Sequence, residues 1–139
     1  MLPTMFWKTE EVPKVYLTAL CAWREARGCN EDAIIGVLQT IANRATHPTI
    51  HWWGKGFEEV VLKAKQFSSF NADDPNAVKF PSVDDPQFKQ ILSLTDRVIM
   101  KQIPDPTGGA THYHDKSAAP SWAEHMERCA TIGPFTFYK

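Results

Sequence analysis

Apolar positions recur at three- and four-residue steps through the early part of the chain and then give way to shorter, less regular runs. From Val12 to Trp23 the residues Val12, Val15, Tyr16, Ala19, Leu20 and Trp23 trace one stripe, which predicts an amphipathic helix, and Gly28 is placed to stop it at C′. Asn30 is suited to cap a second helix with Glu31 and Asp32 in its first turn. Ile34, Leu38, Ile41 and Ala45 then recur along one side until His47-Pro48 ends the run. Ile50 to Gly56, with Trp52, Trp53, Gly54 and Gly56, reads as a loop leading into a short helix over Phe57 to Lys65. Gln66 to Val83 is broken by Asp74-Pro75 and Phe80-Pro81, and reads as an irregular excursion of the kind that walls a cleft. A third long helix is predicted from Pro86 to Lys101, with Phe88, Ile91, Leu92, Thr95, Val98 and Ile99 on its buried side.

After Pro104 the period changes. Asp105-Pro106-Thr107-Gly108-Gly109 is dense in turn formers, Ala110 to His114 reads as a short strand, and Thr131 to Tyr138 is β-prone around a Gly133-Pro134 turn. Helices followed by short strands predict an α+β architecture, mainly helical with a small antiparallel sheet. Neither a repeat nor an interdomain linker interrupts 1–139, so a single catalytic domain is expected.

Composition narrows the function classes. The 15 basic and 16 acidic residues nearly cancel, which removes the field that draws a protein onto nucleic acid and leaves recognition to a shaped site. No segment is long and apolar enough for stable membrane insertion, and Met1 to Glu11 lacks the apolar run of a signal peptide, so a cytosolic, monomeric chain is expected. Cys21, Cys29 and Cys129 are odd in number and show no CxxC spacing, which predicts free thiols and no structural metal.

At 100° per residue Glu25 lies almost opposite the Val12/Tyr16/Leu20/Trp23 stripe, beside Thr18, Cys21 and Ala22. A carboxylic acid among small residues near a helix C-terminus is desolvated if another element covers it, and desolvation makes a carboxyl a better proton donor at neutral pH. A Glu on a helix face is more often a solvated residue or a partner for Arg24 or Arg27, so this position needs further support.

That support comes from words in order: Trp23-Arg24-Glu25-Ala26-Arg27-Gly28, Asn43-Arg44, Gln66-Phe67-Ser68, Asp105-Pro106-Thr107-Gly108-Gly109-Ala110, His112-Tyr113-His114, Pro120-Ser121-Trp122 and Thr131-Ile132-Gly133. Together they resemble the SleB-type cell wall hydrolases, a family of spore-cortex lytic enzymes and related phage endolysins, over about Tyr16 to Tyr138. The resemblance implies a lysozyme-like fold and cleavage of the β-1,4 bond between N-acetylmuramic acid and N-acetylglucosamine in peptidoglycan glycan strands. It also implies that Glu25, the first Glu of the family's Glu-Ala-Arg-Gly-Glu motif, is the catalytic acid. Cys29 stands where that motif has its second Glu, so a two-carboxylate hydrolysis needs another partner, with Asp73, Asp74 and Asp115 as candidates by loop position. A single acid suffices for the lytic transglycosylase route, to which the missing carboxylate leans, and no cofactor is needed.

Tyr113 is the second catalytic candidate, through a hydrogen bond from its phenol to the substrate or to Glu25, and Gln66, Ser68, His112 and His114 are candidate substrate-binding residues. Gly108 and Gly109 suit a tight turn, and Asn43 and Arg44 are expected to tie loops together by hydrogen bonds. Two alternatives stand beside the glycosidase: a metal-dependent peptidoglycan amidase built on His112-x-His114, and a module that binds peptidoglycan without cutting it. The lack of a leader and of a separate wall-binding segment in this sequence fits a phage-type lysis enzyme that waits in the cytosol for release.

Overall fold

The first helix, α1, runs Val12–Ala26 with Pro13 in its opening turn; Arg27 then leaves helical geometry and Gly28 takes φ +85°. The structure is a computed structural model that describes residues 9–63, 67, 73–82 and 84–139. Val15, Ala19, Leu20 and Trp23 of the expected stripe are buried, but Val12 and Tyr16 are each 39% exposed. The opposite side, Thr18, Cys21 and Ala22, is as fully enclosed as the stripe. The amphipathic reading of this helix is therefore corrected: α1 packs against the helices α2 (Glu31–Ala45), α3 (Phe57–Leu62) and α4 (Pro86–Ile99), and its small residues let neighbours approach from both sides.

In α2 the Asn30 side chain accepts the Ala33 N–H at 2.9 Å, as its cap position demands, and every residue from 33 to 42 is buried. Gly36 sits in the middle of this run although an interior glycine weakens a helix by about 1 kcal/mol relative to alanine. The reason is contact: a Cβ at Gly36 would stand 2.6 Å from Phe137 Cζ, so only a bare backbone lets the sheet come this close. In α4 the Asp85 carboxylate accepts the Phe88 N–H at 2.8 Å and Pro86 opens the helix, whose expected apolar side is buried except for the half-buried Ile99. The short helix α3 ends at Leu62, earlier than the sequence suggests.

Three strands, β1 (His112–Asp115), β2 (Arg128–Ile132) and β3 (Phe135–Tyr138), form an antiparallel sheet in the order β1-β3-β2 among the described residues. The β-prone run after Thr131 is thus two strands about the Gly133-Pro134 turn, with β2 beginning earlier at Arg128 and bulged between Arg128 and Ala130. Strand β1 starts later than Ala110 because the Ala110 N–H is taken by Thr107 Oγ1 at 3.1 Å. Tyr113 pairs with Phe137 and meets the Phe135 ring edge to face at 5.2 Å and the Phe137 ring at a tilt at 5.7 Å, so these rings share the face turned to the helices. His112, His114 and Tyr138 take the other face beneath Trp122, which lies in a 3₁₀ turn over Ser121–His125. No described helix is long and apolar enough to cross a membrane.

Candidate active site

Glu25 is carried on the last turn of α1, where its side chain is half-buried beneath β1. The Tyr113 hydroxyl donates to Glu25 Oε1 at 2.6 Å, across 88 positions of sequence. Burial, and then the facing Glu25 charge, holds the Tyr113 phenol well above its ordinary pKa. It keeps its proton at any physiological pH and is a donor, never a charged partner. Cys21, one turn earlier on α1, has its thiol pushed well up by burial and then by Glu25. The two candidates that sequence reasoning named for chemistry are therefore brought together.

The two arginines flanking Glu25 hold the outer wall. Arg24 donates from Nε to the Lys79 carbonyl at 3.0 Å and lays its guanidinium 4.9 Å from the Phe80 ring. Arg27 donates from Nη2 to Asn76 Oδ1 at 3.1 Å and covers the Trp23 indole at 4.6 Å. The helix that carries the acid thus also anchors the excursion over residues 73–80, a role that sequence reasoning did not assign. Three-residue spacing of two arginines around the acid was the available signal.

The opposite wall is fixed by Asn43-Arg44 and by the Asp105 loop. Arg44 is buried, donates from Nε to the Thr111 carbonyl at 2.6 Å, and lies 5.7 Å from the Trp53 ring and 5.5 Å from the Phe67 ring. Burial lowers its pKa, partly offset by Tyr113 and Cys21. Asn43 donates to Asp105 Oδ2 at 3.0 Å and to the Ala110 carbonyl at 2.8 Å. Asp105 in turn accepts the Thr107 N–H, the Thr107 hydroxyl and the Gly109 N–H at 2.7–3.0 Å. Burial would raise the Asp105 pKa, but the Thr107, Asn43 and Gly109 donors outweigh it and hold the carboxyl below its usual value. Gly108 and Gly109 adopt φ +70° and +94°, the left-handed turn that two successive glycines were expected to supply.

Of the remaining candidates, Gln66 and Ser68 lie outside the described residues. His112 and His114 point away from the Glu25 side of β1. His112 contacts Thr111 Oγ1 at 3.0 Å, and burial, with Arg44 nearby, lowers its pKa to about 4, so its ring is neutral near pH 7. Both nitrogens of His114 are engaged, Nδ1 with the Asp115 carbonyl and Nε2 with the Tyr138 hydroxyl, each at 2.8 Å. No group of three or more His, Cys, Asp or Glu side chains gathers into a metal-binding cluster among the described residues.

Two of the three candidate second carboxylates, Asp74 and Asp115, serve local turns. Asp74 accepts the Asn76 N–H at 2.8 Å, and Asp115, fully exposed, accepts the Ser117 N–H at 2.9 Å, which lowers its pKa. Cys29 is half-buried, and its thiol is raised by burial and then by Asp115. Gln87 braces the same turn, accepting the Gly28 N–H at 2.9 Å.

Comparison with known proteins agrees with this architecture. Residues 28–138 match the model of the Cell Wall Hydrolase family, a match that begins just past Glu25. Two solved structures have a similar, lysozyme-like fold. The catalytic domain of the Bacillus cereus SleB protein has TM-score 0.70 at 21% identity, covering 92% of this chain and 91% of that one. The catalytic domain of the germination-specific lytic transglycosylase SleB from Bacillus anthracis has TM-score 0.68 at 19% identity, covering 96% and 97%. No curated protein matches the sequence.

Proposed function

Because the chain belongs to the cell wall hydrolase family, we propose that it cleaves the β-1,4 bond between N-acetylmuramic acid and N-acetylglucosamine with Glu25 as general acid. The observation that carries this reading is the 2.6 Å hydrogen bond from Tyr113 to Glu25 Oε1. A phenol that does not ionise commits Oε1 as an acceptor, so the transferable proton belongs on Oε2 and the carboxyl is held in one orientation. Glu25 protonates the glycosidic oxygen as its bond to the muramyl anomeric carbon breaks. The resulting carboxylate then takes the proton of the muramyl 6-hydroxyl while that oxygen closes onto the anomeric carbon. The anhydro product forms without consuming water. A water in place of the 6-hydroxyl would give the hydrolysed product, one water heavier, and this step favours an additional base. The turn-bound positions of Asp74 and Asp115 and the thiol at Cys29 support the ring-closing route.

Purified sacculi test the whole reading. Loss of turbidity with anhydro-ended muropeptides by mass spectrometry supports transglycosylation, and products one water heavier support a muramidase. Protein that pellets with sacculi and releases nothing would overturn catalysis.

Tyr113→Phe is expected to slow clearing more than it lowers the melting temperature. Losing the hydrogen bond costs about 0.5–1.5 kcal/mol, more with a charged acceptor. That is a rate loss of about several-fold to a hundredfold. The ring still packs on Phe135 and Phe137, so unchanged clearing by the folded variant would put the hydroxyl outside the chemistry. A second expectation concerns thiols and metals. All three thiols are raised above their usual pKa, so iodoacetamide at neutral pH should react slowly and, like EDTA, leave clearing intact. Loss of activity to EDTA that added zinc restores would favour the amidase instead.

A further inference from the structure

On the side of β1 away from Glu25 lies an open groove of about 460 Å³ lined by Asn43, His47, Trp52, Trp53, His112 and Met126, with Lys139 at its rim. We infer that this groove is a second saccharide site, taking an uncharged N-acetylated sugar of the glycan strand; the inference rests on the wall-cleaving function proposed above.

Four observations carry it. First, Trp52 is 65% exposed while Trp53 beneath it is 7% exposed, and their rings meet edge to face at 5.6 Å. A large indole held up on a buried one presents a rigid apolar plate to solvent, the surface against which the C–H face of a sugar packs. Second, both amide hydrogen bonds of Asn43 that fix its orientation run inward to Asp105 and Ala110, while its Oδ1 accepts none among the described residues. An acetamido N–H is the donor that matches such an oxygen.

Third, His47 Nδ1 accepts the backbone N–H groups of Thr49 and Ile50 at 3.2 and 2.9 Å. With Nδ1 accepting, Nε2 carries the ring's proton and is a donor for a hydroxyl or carbonyl oxygen. Fourth, the groove is nearly without charge. Among the described lining residues there is no carboxylate side chain, His112 is neutral with a pKa of about 4, and the one ammonium, Lys139, is directed to the Gly108 carbonyl at 3.5 Å. An acidic stem peptide would find only that one ammonium among the described lining residues, whereas a neutral amino sugar needs none. Since His112 lines the groove and its neighbour Tyr113 reaches Glu25, one strand separates the two sites, and a polymer lying along β1 would engage both.

The full-length protein titrated with the N-acetylglucosamine tetramer tests this, read by the indole N–H resonances of Trp52 and Trp53, with the Glu25→Gln variant used to block turnover. Both resonances should shift on titration, and Trp52→Ala should weaken the tetramer's affinity by about tenfold. Trp52→Phe should restore most of it. On sacculi Trp52→Ala should raise the substrate concentration needed for half-maximal clearing and leave the maximal rate near wild type. Tetramer binding that leaves both resonances unmoved would overturn the inference. So would Trp52→Ala with unchanged affinity, or shifts produced by a released stem peptide and not by the tetramer. If wild type fails to clear sacculi while the groove binds the tetramer, the catalytic reading fails alone; if wild type clears and the groove is silent, the second site fails alone.

Discussion

Glu25→Gln is expected to stop sacculus clearing while the protein remains folded, with a rate loss of about a thousandfold or more for a general acid. Glutamine keeps the length and helix propensity of glutamate, so the end of α1 should be unaffected. Its carbonyl oxygen can still accept the Tyr113 hydroxyl, so the contact between α1 and β1 survives. What disappears is the only function that distinguishes the two side chains here, a proton that can be given up and taken back. Far-ultraviolet circular dichroism and melting should match wild type, and muropeptide release should fall to background. A folded variant that still clears at a rate near wild type would remove Glu25 from the chemistry and reopen the amidase reading.

A stability effect comparable to that of truncating a core hydrocarbon is expected at Asp105. One carboxylate accepts four hydrogen bonds, two from Thr107, one from Gly109 and one from Asn43. Asp105→Ala strands those donors in a partly buried loop. The loss should be about 3 kcal/mol, since a hydrogen bond to a charged group contributes about 1.5–3 kcal/mol and the exposed part of the loop can turn to water. For a chain of this size that is a fall in melting temperature of about 10 °C. The pH dependence has a definite sign. The folded pKa lies below the ordinary carboxyl value, so this contribution is present at neutral pH and is lost as acid takes the pH down through the folded value. Asp105→Ala should therefore flatten the acid limb of the stability curve, and an unchanged limb would show that the loop holds itself.

The helices were legible because their signals are local. Asn30 and Asp85 cap the helices they precede, Pro86 opens one and Gly28 closes another, and each needs only neighbours in sequence to act. The burial of α1 on both sides was not legible, since period alone marks one apolar side and Thr18, Cys21 and Ala22 read as neutral until neighbouring elements enclose them. The early start of β2 was missed because Arg128-Cys129-Ala130 shows no alternation and the strand is bulged there. The pairing of Glu25 with Tyr113 spans too much sequence for any local pattern, and only the ordered motifs pointed to both residues. Arg24 and Arg27 read in the sequence as partners of Glu25, and the structure gives them a backbone carbonyl and an amide in the excursion as well. A carbonyl leaves no mark in the sequence. Asp105 read as a turn former, and its hold on Asn43 became visible only in three dimensions.

The strand order β1-β3-β2 puts Phe135–Tyr138 between the two strands that precede it in sequence. A nascent chain released only as far as Ile132 already contains Glu25 and Tyr113, but β1 then has no strand to pair with and Gly36 has no Phe137 against it. Holding the acid against its phenol depends on the pairing of β1 with β3 and on Phe137 seating against Gly36, contacts of long sequence separation that carry a loop-closure cost. The pairing of Glu25 with Tyr113 is thereby tied to closure of the sheet, and a polypeptide that lacks Phe135–Tyr138 should not hold the acid and its phenol together.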